Sequence, residues 1–256
     1  MLAARAAAAD GREVCAAAFI GETEAGIEAV AVRVVWLKVG QLQRAIDFFH
    51  ENQVTEAFMA GGVTKENMFI NFEPDSRALA AIARLSELSD DAVLRLFAEE
   101  LEKDGIAVRP STWFAPELTA PEGVMTRRGP TPEEQADIEF GRRMAKALGE
   151  LDIGQLVVVR NRTVTAVEAM EGSDEAIRRG GRLAREKAVV VKVCKPRQDR
   201  RFDLPSVGLQ TIRVMNEVQA SVLAVEAGGS LVFDRREMIR LADDLGICIL
   251  GFREEA

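Results

Sequence analysis

The chain has 256 residues, 48% of them hydrophobic, which is enough for one large domain or two modest domains with buried cores. Its net charge of −8 disfavours nucleic acid as a partner, because bulk binding to nucleic acid needs a basic face. Three widely separated cysteines and a single histidine exclude a disulfide framework, a histidine-based triad and a histidine-rich metal site.

The first half of the chain alternates short apolar runs with amphipathic ones. Strands are predicted at 12–20, 32–39, 56–63 and 106–110, and helices at 40–54, 76–88 and 90–103. Strands that alternate with helices predict an α/β fold with a mostly parallel sheet covered by helices. Residues 1–14 read as the end of a helix and a glycine turn into a strand, although such a domain normally opens with a strand and a loop.

The second half opens with a proline-rich and glycine-rich stretch. Residues 115–132 contain four prolines and two glycines, and we predict a linker between two domains there. A helix follows, with Thr131 and Glu134 as its capping box. The later predicted elements are a hairpin over 155–170, a helix from Ser173, strands at 188–194, 221–228 and 247–252, and a helix at 211–219. A last helix, 234–246, is predicted to use Asp234 and Glu237 as its capping box.

The chain lacks the common phosphate-loop, zinc-protease and serine-hydrolase motifs. Because its only histidine is expected to be structural, carboxylates are the candidates for any catalytic base or metal ligand. Such ligands suit Mg²⁺ or Mn²⁺ chemistry on phosphates. Glu171 and Asp174 flank a turn into a predicted helix, whose first backbone N–H groups are suited to a phosphate. The alternative, that Ser173 only caps this helix and Asp174 only complements its dipole, stays open.

The stretch 195–212, KPRQDRRFDLPSVGLQTI, directly follows a predicted buried strand, where α/β proteins commonly place ligand sites. Its cations, Lys195 and Arg201 among them, are suited to neutralising a diphosphate. Pro205 forces the preceding backbone to be extended and thereby helps to fix the position of Asp203. On physical grounds alone, a solvated run of charges is an equally good interpretation.

Several residues of the first half have two open interpretations. Gly40, Gly61 and Gly62 lie where predicted strands lead into a helix or loop, so they serve either a tight turn or the close approach of a nucleotide. Asp90 begins a predicted helix and either caps it or binds a ribose or base. His50 lies on a predicted helix beside two phenylalanines, which favours a structural role.

Nine stretches spread over nearly the whole chain resemble one family, the LpxI-type UDP-2,3-diacylglucosamine pyrophosphatases of lipid A biosynthesis. They occur in family order and read VGQL, AGGV, DDAVLR, ELEKDG, LDIGQLVVV, AVEAMEGSDEAIRR, KPRQDRRFDLPSVGLQTI, VEAG and ADDLGICILG. The sixth and seventh stretches together form the most specific part of the resemblance.

This resemblance implies a cytoplasmic enzyme that splits the diphosphate of UDP-2,3-diacylglucosamine into UMP and 2,3-diacylglucosamine 1-phosphate with a divalent cation, Mg²⁺ or Mn²⁺. It implies a Rossmann-like UDP-binding domain, residues 1–114, joined by the linker 115–132 to a C-terminal α/β catalytic domain peculiar to the family, residues 133–256. The two acyl chains of the substrate imply transient peripheral contact with the inner membrane. A homodimer is compatible with the resemblance.

The resemblance also assigns roles to individual residues. The essential family aspartate corresponds to Asp203, expected to be a metal ligand or a base that positions water. Its expected acidic partners are Asp174, as a second metal ligand, and Glu171. Lys195 and Arg201 are expected to neutralise the diphosphate. The expected substrate-binding residues are Gln155, Gln198 and Thr211 and, on the nucleotide side, Gly40, Gln41, Gly61, Gly62 and Asp90.

One departure motivates further hypotheses. Relatives open with a strand and a GGGxLP-like loop ahead of the helix with which this sequence begins, so the N-terminal sheet is expected to lack its first strand. A start codon placed too late or a truncation is the favoured explanation. The second hypothesis is a non-catalytic protein that binds UDP or lipid phosphates. A generic Rossmann dehydrogenase is a weaker third, because the chain has no dinucleotide fingerprint.

Overall fold

The computed structural model describes residues 1–63, 71–85, 90–196, 198–202 and 204–253, with the side chain of Asp90 excepted. The chain forms two compact units. The first comprises Met1–Pro116 and the described residues of a short segment that begins at Asp199. The second comprises Glu117–Gln198 and the chain from Leu204 onward. The chain therefore leaves the second unit within the stretch 195–212 and returns to it before that stretch ends.

The first unit alternates helices with short strands. Within the described residues its helices are α1 (Leu2–Ala9), α2 (Leu42–Glu51), α3 (Ser76–Ile82) and α4 (Asp90–Lys103). Its strands are β1 (Cys15–Phe19), β2 (Arg33–Leu37), β3 (Glu56–Ala57) and β4 (Ala107–Val108). Strand β1 pairs in parallel with β2, with Cys15 opposite Arg33, and β3 pairs in parallel with β4. The parallel pairing agrees with the prediction from alternating strands and helices.

The main core of the first unit lies under the apolar face of α2. Leu42 and Ile46 are buried there, as the helical spacing of the apolar residues predicts. Phe202, which belongs to the short segment from Asp199, is only 2% exposed and packs in the same core. Burying a phenylalanine side chain contributes about 1.5–3 kcal/mol. This residue therefore anchors the middle of the charge run to the first unit.

The second unit is built on one six-stranded sheet. Its strands are β5 (Gly123–Val124), β6 (Leu156–Arg160), β7 (Thr163–Val167), β8 (Val189–Lys192), β10 (Val222–Glu226) and β12 (Cys248–Phe252), in the order β5-β12-β10-β8-β6-β7. Strands β8, β10 and β12 are parallel, and β6 is antiparallel to both β7 and β8. A separate parallel pair is formed by β9 (Ser206–Val207) and β11 (Leu231–Val232).

Helices cover both faces of this sheet. Helix α5 (Pro132–Glu150) packs on one face, and α6 (Ser173–Ala184), α7 (Leu209–Glu217) and α8 (Arg235–Leu245) pack on the other. Alternate residues of β6 show the division, because Leu156 and Val158 join one core while Val157 and Val159 join the other. The second unit is therefore a three-layered α/β domain.

Most predicted elements are confirmed at their positions. The capping box of Thr131 and Glu134 is present at the start of α5, and α6 begins at Ser173. The 155–170 hairpin forms with Asn161 and Arg162 at its turn, both with positive φ. Helix α3 ends at Ile82, earlier than predicted, and residues 86–88 of that prediction lie outside the described residues.

Two stretches differ from the sequence-based prediction. The predicted capping box of Asp234 and Glu237 is wrong, because Asp234 has φ 48° and its side chain caps nothing, whereas a capping residue needs extended backbone. Part of the stretch 115–132 is built into the second unit, since β5 lies within it and pairs antiparallel with β12. The two units divide at Pro116, near the start of that stretch.

Candidate active site

An open cavity of about 720 Å³ lies in the second unit, within the size range of ligand pockets. Three regions line it: the turn into α6 with the end of β8, the region from β9 into α7, and the residues just before α8. The lining residues are Glu171–Asp174, Lys192, Ser206–Thr211, Arg213, Phe233 and Asp234. The AVEAMEGSDEAIRR and KPRQDRRFDLPSVGLQTI stretches, distant in sequence, therefore both contribute to one cavity.

The sheet topology explains why these residues meet. Strand β6 is antiparallel to both β7 and β8, so β7 and β8 point the same way and end at the same edge of the sheet. The chain after β7 enters α6 and the chain after β9 enters α7, so both helices begin beside the cavity. Unpaired backbone N–H groups and a partial positive charge at helix N-termini favour anions there.

A buried lysine lines the cavity. Lys192, the last residue of β8, is 6% exposed, and its Nζ donates to Ser173 Oγ and to the Ser206 carbonyl oxygen, each at 2.9 Å. Ser173 Oγ in turn donates to Glu168 Oε1 at 2.6 Å, and Glu168 is 8% exposed. The interpretation of Ser173 as a simple helix cap is therefore wrong, because its hydroxyl is engaged with Glu168 and Lys192.

Acidic side chains face the same cavity. Glu171 accepts from Arg179, and hydrogen bonds from its own backbone N–H and from Arg179 hold its pKa below the usual range. Asp174 lies in the first turn of α6 and lines the cavity, as does Asp234. Among the predicted acidic residues, the structure thus places Glu171 and Asp174 together. Asp203 lies outside the described residues.

Two cations of the stretch 195–202, Lys195 and Arg201, are paired with nearby carboxylates. Lys195 Nζ lies 2.6 Å from a carboxylate oxygen of Asp152, within the second unit. The guanidinium of Arg201 lies 2.7 Å from Asp199 and 2.6 Å from Glu102, within the first unit. The hydrogen bonds from Arg201 hold the pKa of Asp199 below its usual range. Neither Lys195 nor Arg201 lines the described cavity, and their contacts with a diphosphate stay predictions.

The beginning of this stretch is fixed by a buried carboxylate that the sequence analysis did not select. Glu226, at the end of β10, is 2% exposed and accepts from the Cys194 backbone N–H at 3.0 Å and from Lys146 Nζ at 2.9 Å. Gln198 Oε1 accepts from the Lys195 backbone N–H at 3.2 Å. Gln198 therefore supports the local backbone through the side chain that was predicted to bind substrate.

The other predicted substrate-binding residues of the second unit differ in position. Thr211 lines the cavity, and its Oγ1 accepts from the Gly208 backbone N–H at 3.3 Å. Gln155 does not line it, and its Oε1 is buried with no hydrogen-bond partner among the described residues. Their substrate contacts stay predictions.

The predicted nucleotide-side residues all belong to the first unit. Gly40 has φ +97° and packs against Pro74, which supports the tight-turn interpretation. Gln41 Oε1 accepts from the Lys38 backbone N–H at 3.0 Å. Gly61 also has positive φ, and at both Gly61 and Gly62 an added Cβ would have no described atom within 4 Å. Asp90 begins α4, and nucleotide binding by this set stays a prediction.

Lys192 and Glu226 are the main residues that the sequence-based prediction missed, whereas Glu168 is a carboxylate at the end of a predicted strand. A signal for the two missed residues exists, because Lys192 interrupts the apolar run AVVVKVC and Glu226 ends the apolar run SVLAVE. Lysine and glutamate are rarely fully buried unless paired, so a charged residue inside such a strand marks a special position.

The described residues contain no group of three or more histidine, cysteine, aspartate or glutamate side chains that could hold a metal ion. They also contain no helix of the length and apolarity that crossing a bilayer requires. The carboxylates of Asp174 and Asp234 line one cavity, and oxygen donors of this kind fit a hard divalent cation. They do not complete a ligand set by themselves.

Fold and cavity together define a class: an α/β protein with a polar cavity at the carboxyl ends of its strands, where phosphate-bearing ligands are commonly bound. Two family models match in sequence, the LpxI N-terminal domain over residues 1–118 and the LpxI C-terminal domain over residues 121–250. The chain belongs to the LpxI family. It is 38% identical over 203 residues to UDP-2,3-diacylglucosamine pyrophosphatase LpxI of Caulobacter vibrioides, across 75% of this chain and 72% of that protein.

Proposed function

We propose that the protein hydrolyses the diphosphate of UDP-2,3-diacylglucosamine and releases UMP and 2,3-diacylglucosamine 1-phosphate. The observation that carries the proposal is the convergence of the two most specific family stretches on one cavity, with Asp174 and Thr211 both in its lining. The relative from Caulobacter vibrioides, named as a pyrophosphatase of this substrate, supports the same activity.

The reaction adds water across one P–O–P bond, so one product gains the water oxygen and both products end as phosphate monoesters. The protein has to hold the diphosphate, offset its charge and position the water. The N-termini of α6 and α7 and the cation of Lys192 provide positive potential at the cavity. Lys195 and Arg201 remain proposed partners of the diphosphate.

A divalent cation, Mg²⁺ or Mn²⁺, forms part of the proposal. Asp203 and Asp174 would hold it, and Asp203 is proposed as ligand or as the base that positions water. Bound there, the cation would polarise the phosphoryl oxygens and offset their charge. Asp174 lines a cavity that also contains carboxylates of Glu171 and Asp234, and this donor chemistry supports the proposal.

The UDP part is proposed to bind to the first unit, with Gly40, Gln41, Gly61, Gly62 and Asp90 as candidates. Because the substrate carries two acyl chains, we also propose transient contact with the surface of the inner membrane. Co-sedimentation with anionic lipid vesicles measures this contact. Full recovery of the protein in the supernatant at low and moderate salt would rule out such contact.

The test is UMP release from UDP-2,3-diacylglucosamine by the wild-type protein, with MgCl₂, with MnCl₂ and with EDTA. We expect release that needs the metal and a loss of at least about 100-fold in kcat for Asp203→Ala, the scale of removing a positioned acid or base. Asp244→Ala, at a carboxylate 65% exposed, is the matched control and should keep the wild-type rate.

Each part of the proposal has its own contradicting result. No UMP release by the wild type with either metal rejects the enzyme and favours the second candidate, a protein that binds UDP or lipid phosphates. Undiminished UMP release in EDTA rejects the proposed dependence on a divalent cation. A wild-type rate for Asp203→Ala rejects the role given to that aspartate.

A further inference from the structure

Lys192, Ser173 and Glu168 form a chain of hydrogen bonds, defined here as the buried relay, of which Lys192 and Ser173 line the cavity. Its two links are Lys192 Nζ to Ser173 Oγ at 2.9 Å and Ser173 Oγ to Glu168 Oε1 at 2.6 Å. The Glu168 Oε2 atom accepts from the Gln155 backbone N–H at 3.3 Å. Lys192 and Glu168 are both more than nine-tenths buried, so the relay is held on both sides by fixed groups.

The chemistry of the three groups fixes the direction of each hydrogen bond. An ammonium group has donors and no acceptor, and a carboxylate has acceptors and no donor. The hydroxyl of Ser173 therefore accepts a hydrogen bond from Lys192 and donates its single proton to Glu168. One lone pair of Ser173 Oγ remains, and Ser173 lines the cavity. Toward the cavity, Ser173 can only accept a hydrogen bond.

The free lone pair of Ser173 Oγ determines which groups can bind beside it. Phosphate oxygens are acceptors themselves, so they cannot form a hydrogen bond with Ser173 Oγ in this state. A water molecule has protons to donate, and one donated to Ser173 leaves its lone pairs free to face phosphorus. A hydroxyl held by two buried groups also needs no reorganisation when water binds, which is the condition for effective positioning.

We propose that Lys192 is a positioning residue that acts through Ser173: the buried relay holds the Ser173 hydroxyl as an acceptor, and this acceptor orients the attacking water. The inference rests on the proposed diphosphate hydrolysis and deepens it. The removal of Lys192 changes the orientation of a hydroxyl, so the turnover step is affected more than substrate binding.

The experiment is a double-mutant cycle with UMP release as the assay. Lys192→Met and Ser173→Ala are each expected to lower kcat by about 10–100-fold, the scale of misplacing a reacting group by about 1 Å, with KM within about threefold. Ser173→Thr keeps the hydroxyl and should retain most of kcat. Since Lys192 is proposed to act on the water only through Ser173, its removal should matter little once Ser173 is gone, and the double variant should be no slower than the slower single one.

Glu168→Gln tests the same relay without removing the lysine. Because the Gln155 backbone N–H holds one oxygen of residue 168, the new amide NH₂ would face Ser173 and turn the hydroxyl proton toward the cavity. We expect kcat to fall about tenfold, with no further loss when Glu168→Gln is combined with Ser173→Ala. Lys187→Met, at an exposed lysine before β8, is the control for lysine removal.

Circular dichroism and thermal unfolding show which variants fold. If Lys192→Met does not fold, the relay is tested by Glu168→Gln, Ser173→Ala and their double variant. The inference is overturned if the kcat losses of the single variants multiply in the double variants. It is also overturned if Glu168→Gln keeps the wild-type kcat, or if the substitutions raise KM and leave kcat unchanged. Absence of UMP release by the wild type rejects the proposed function and this inference with it. An active wild type with multiplied losses rejects this inference alone.

Discussion

Gly40, Gly61 and Gly62 offer a graded test of whether the first-unit glycines serve the backbone or a nucleotide. Gly40 has φ +97°, and a Cβ added there would lie 2.8 Å from Pro74 Cα and 3.1 Å from Pro74 N. Gly61 has φ +96° but no described atom within 4 Å of its added Cβ. Gly62 has neither a positive φ nor a described neighbour within that distance. The three positions therefore separate backbone strain from steric contact.

The expected costs follow from these differences. A non-glycine residue in a sparsely populated backbone region costs about 1–3 kcal/mol. Forcing a methyl group into a packed site costs about 1–3 kcal/mol more, and Pro74 presents rigid backbone atoms. We therefore expect free energies of unfolding to fall by about 2–6 kcal/mol for Gly40→Ala, about 1–3 for Gly61→Ala and less than about 0.5 for Gly62→Ala.

The assay is urea unfolding followed by circular dichroism, without nucleotide, and UDP binding is then measured by calorimetry on the folded variants. Equal stability of Gly40→Ala and Gly62→Ala would refute the steric reasoning. If the nucleotide approaches the backbone at Gly62, the Gly62→Ala variant loses UDP affinity at unchanged stability. Unchanged affinity there removes Gly62 from the nucleotide side.

Two further predictions concern buried carboxylates. Lys103 and two arginines lower the pKa of Glu100 to about 2, so its stabilisation is present above about pH 4.5 and is lost as the pH falls toward 2. At about 1.4 kcal/mol per pH unit, reduced for solvent screening of the partly exposed cations, Glu100→Gln should lower the free energy of unfolding by about 1–2 kcal/mol at pH 7. Exposed Glu99→Gln should not, and a gap that persists at pH 2 contradicts the linkage. Glu226→Gln weakens the hydrogen bond to the Cys194 backbone N–H, so it should lower the free energy of unfolding by about 1–3 kcal/mol and also lower kcat. Wild-type stability and rate would show that Glu226 does not support this backbone.

The sequence predicts the second unit well because its signals are local and strong. Short segments that are apolar except for their last residue, such as 156–160 and 189–192, read directly as strands of a covered sheet, and nearly all their residues are buried. The capping box at Thr131 and the turn into Ser173 fix where helices begin. The error at Asp234 arises because a capping pattern in sequence does not reveal a residue in left-handed conformation.

The site is harder to predict because its residues come together only through topology. Glu168 and Lys192 are separated by a helix and a turn, and they meet because β7 and β8 end at one edge. The sequence pattern favours Lys195 instead, because this residue, three positions later, belongs to an obvious run of charges. In the structure Lys195 pairs with Asp152 at a partly exposed site, while Lys192 is buried at the cavity.

The difference between the partly exposed Lys195 and the buried Lys192 suggests how an acidic protein can bind a diphosphate. An exposed cation is screened by water and salt, and exposed ion pairs contribute only about 0–1 kcal/mol. A cation held under a cavity, with helix N-termini beside it, acts through a lower effective dielectric constant and keeps its position during the reaction. A net charge of −8 is compatible with an anion site of this kind, because the field that matters is local. We therefore propose that the lysine inside the strand 189–192 contributes to the anion site, while contacts of Lys195 and Arg201 with a diphosphate stay predictions.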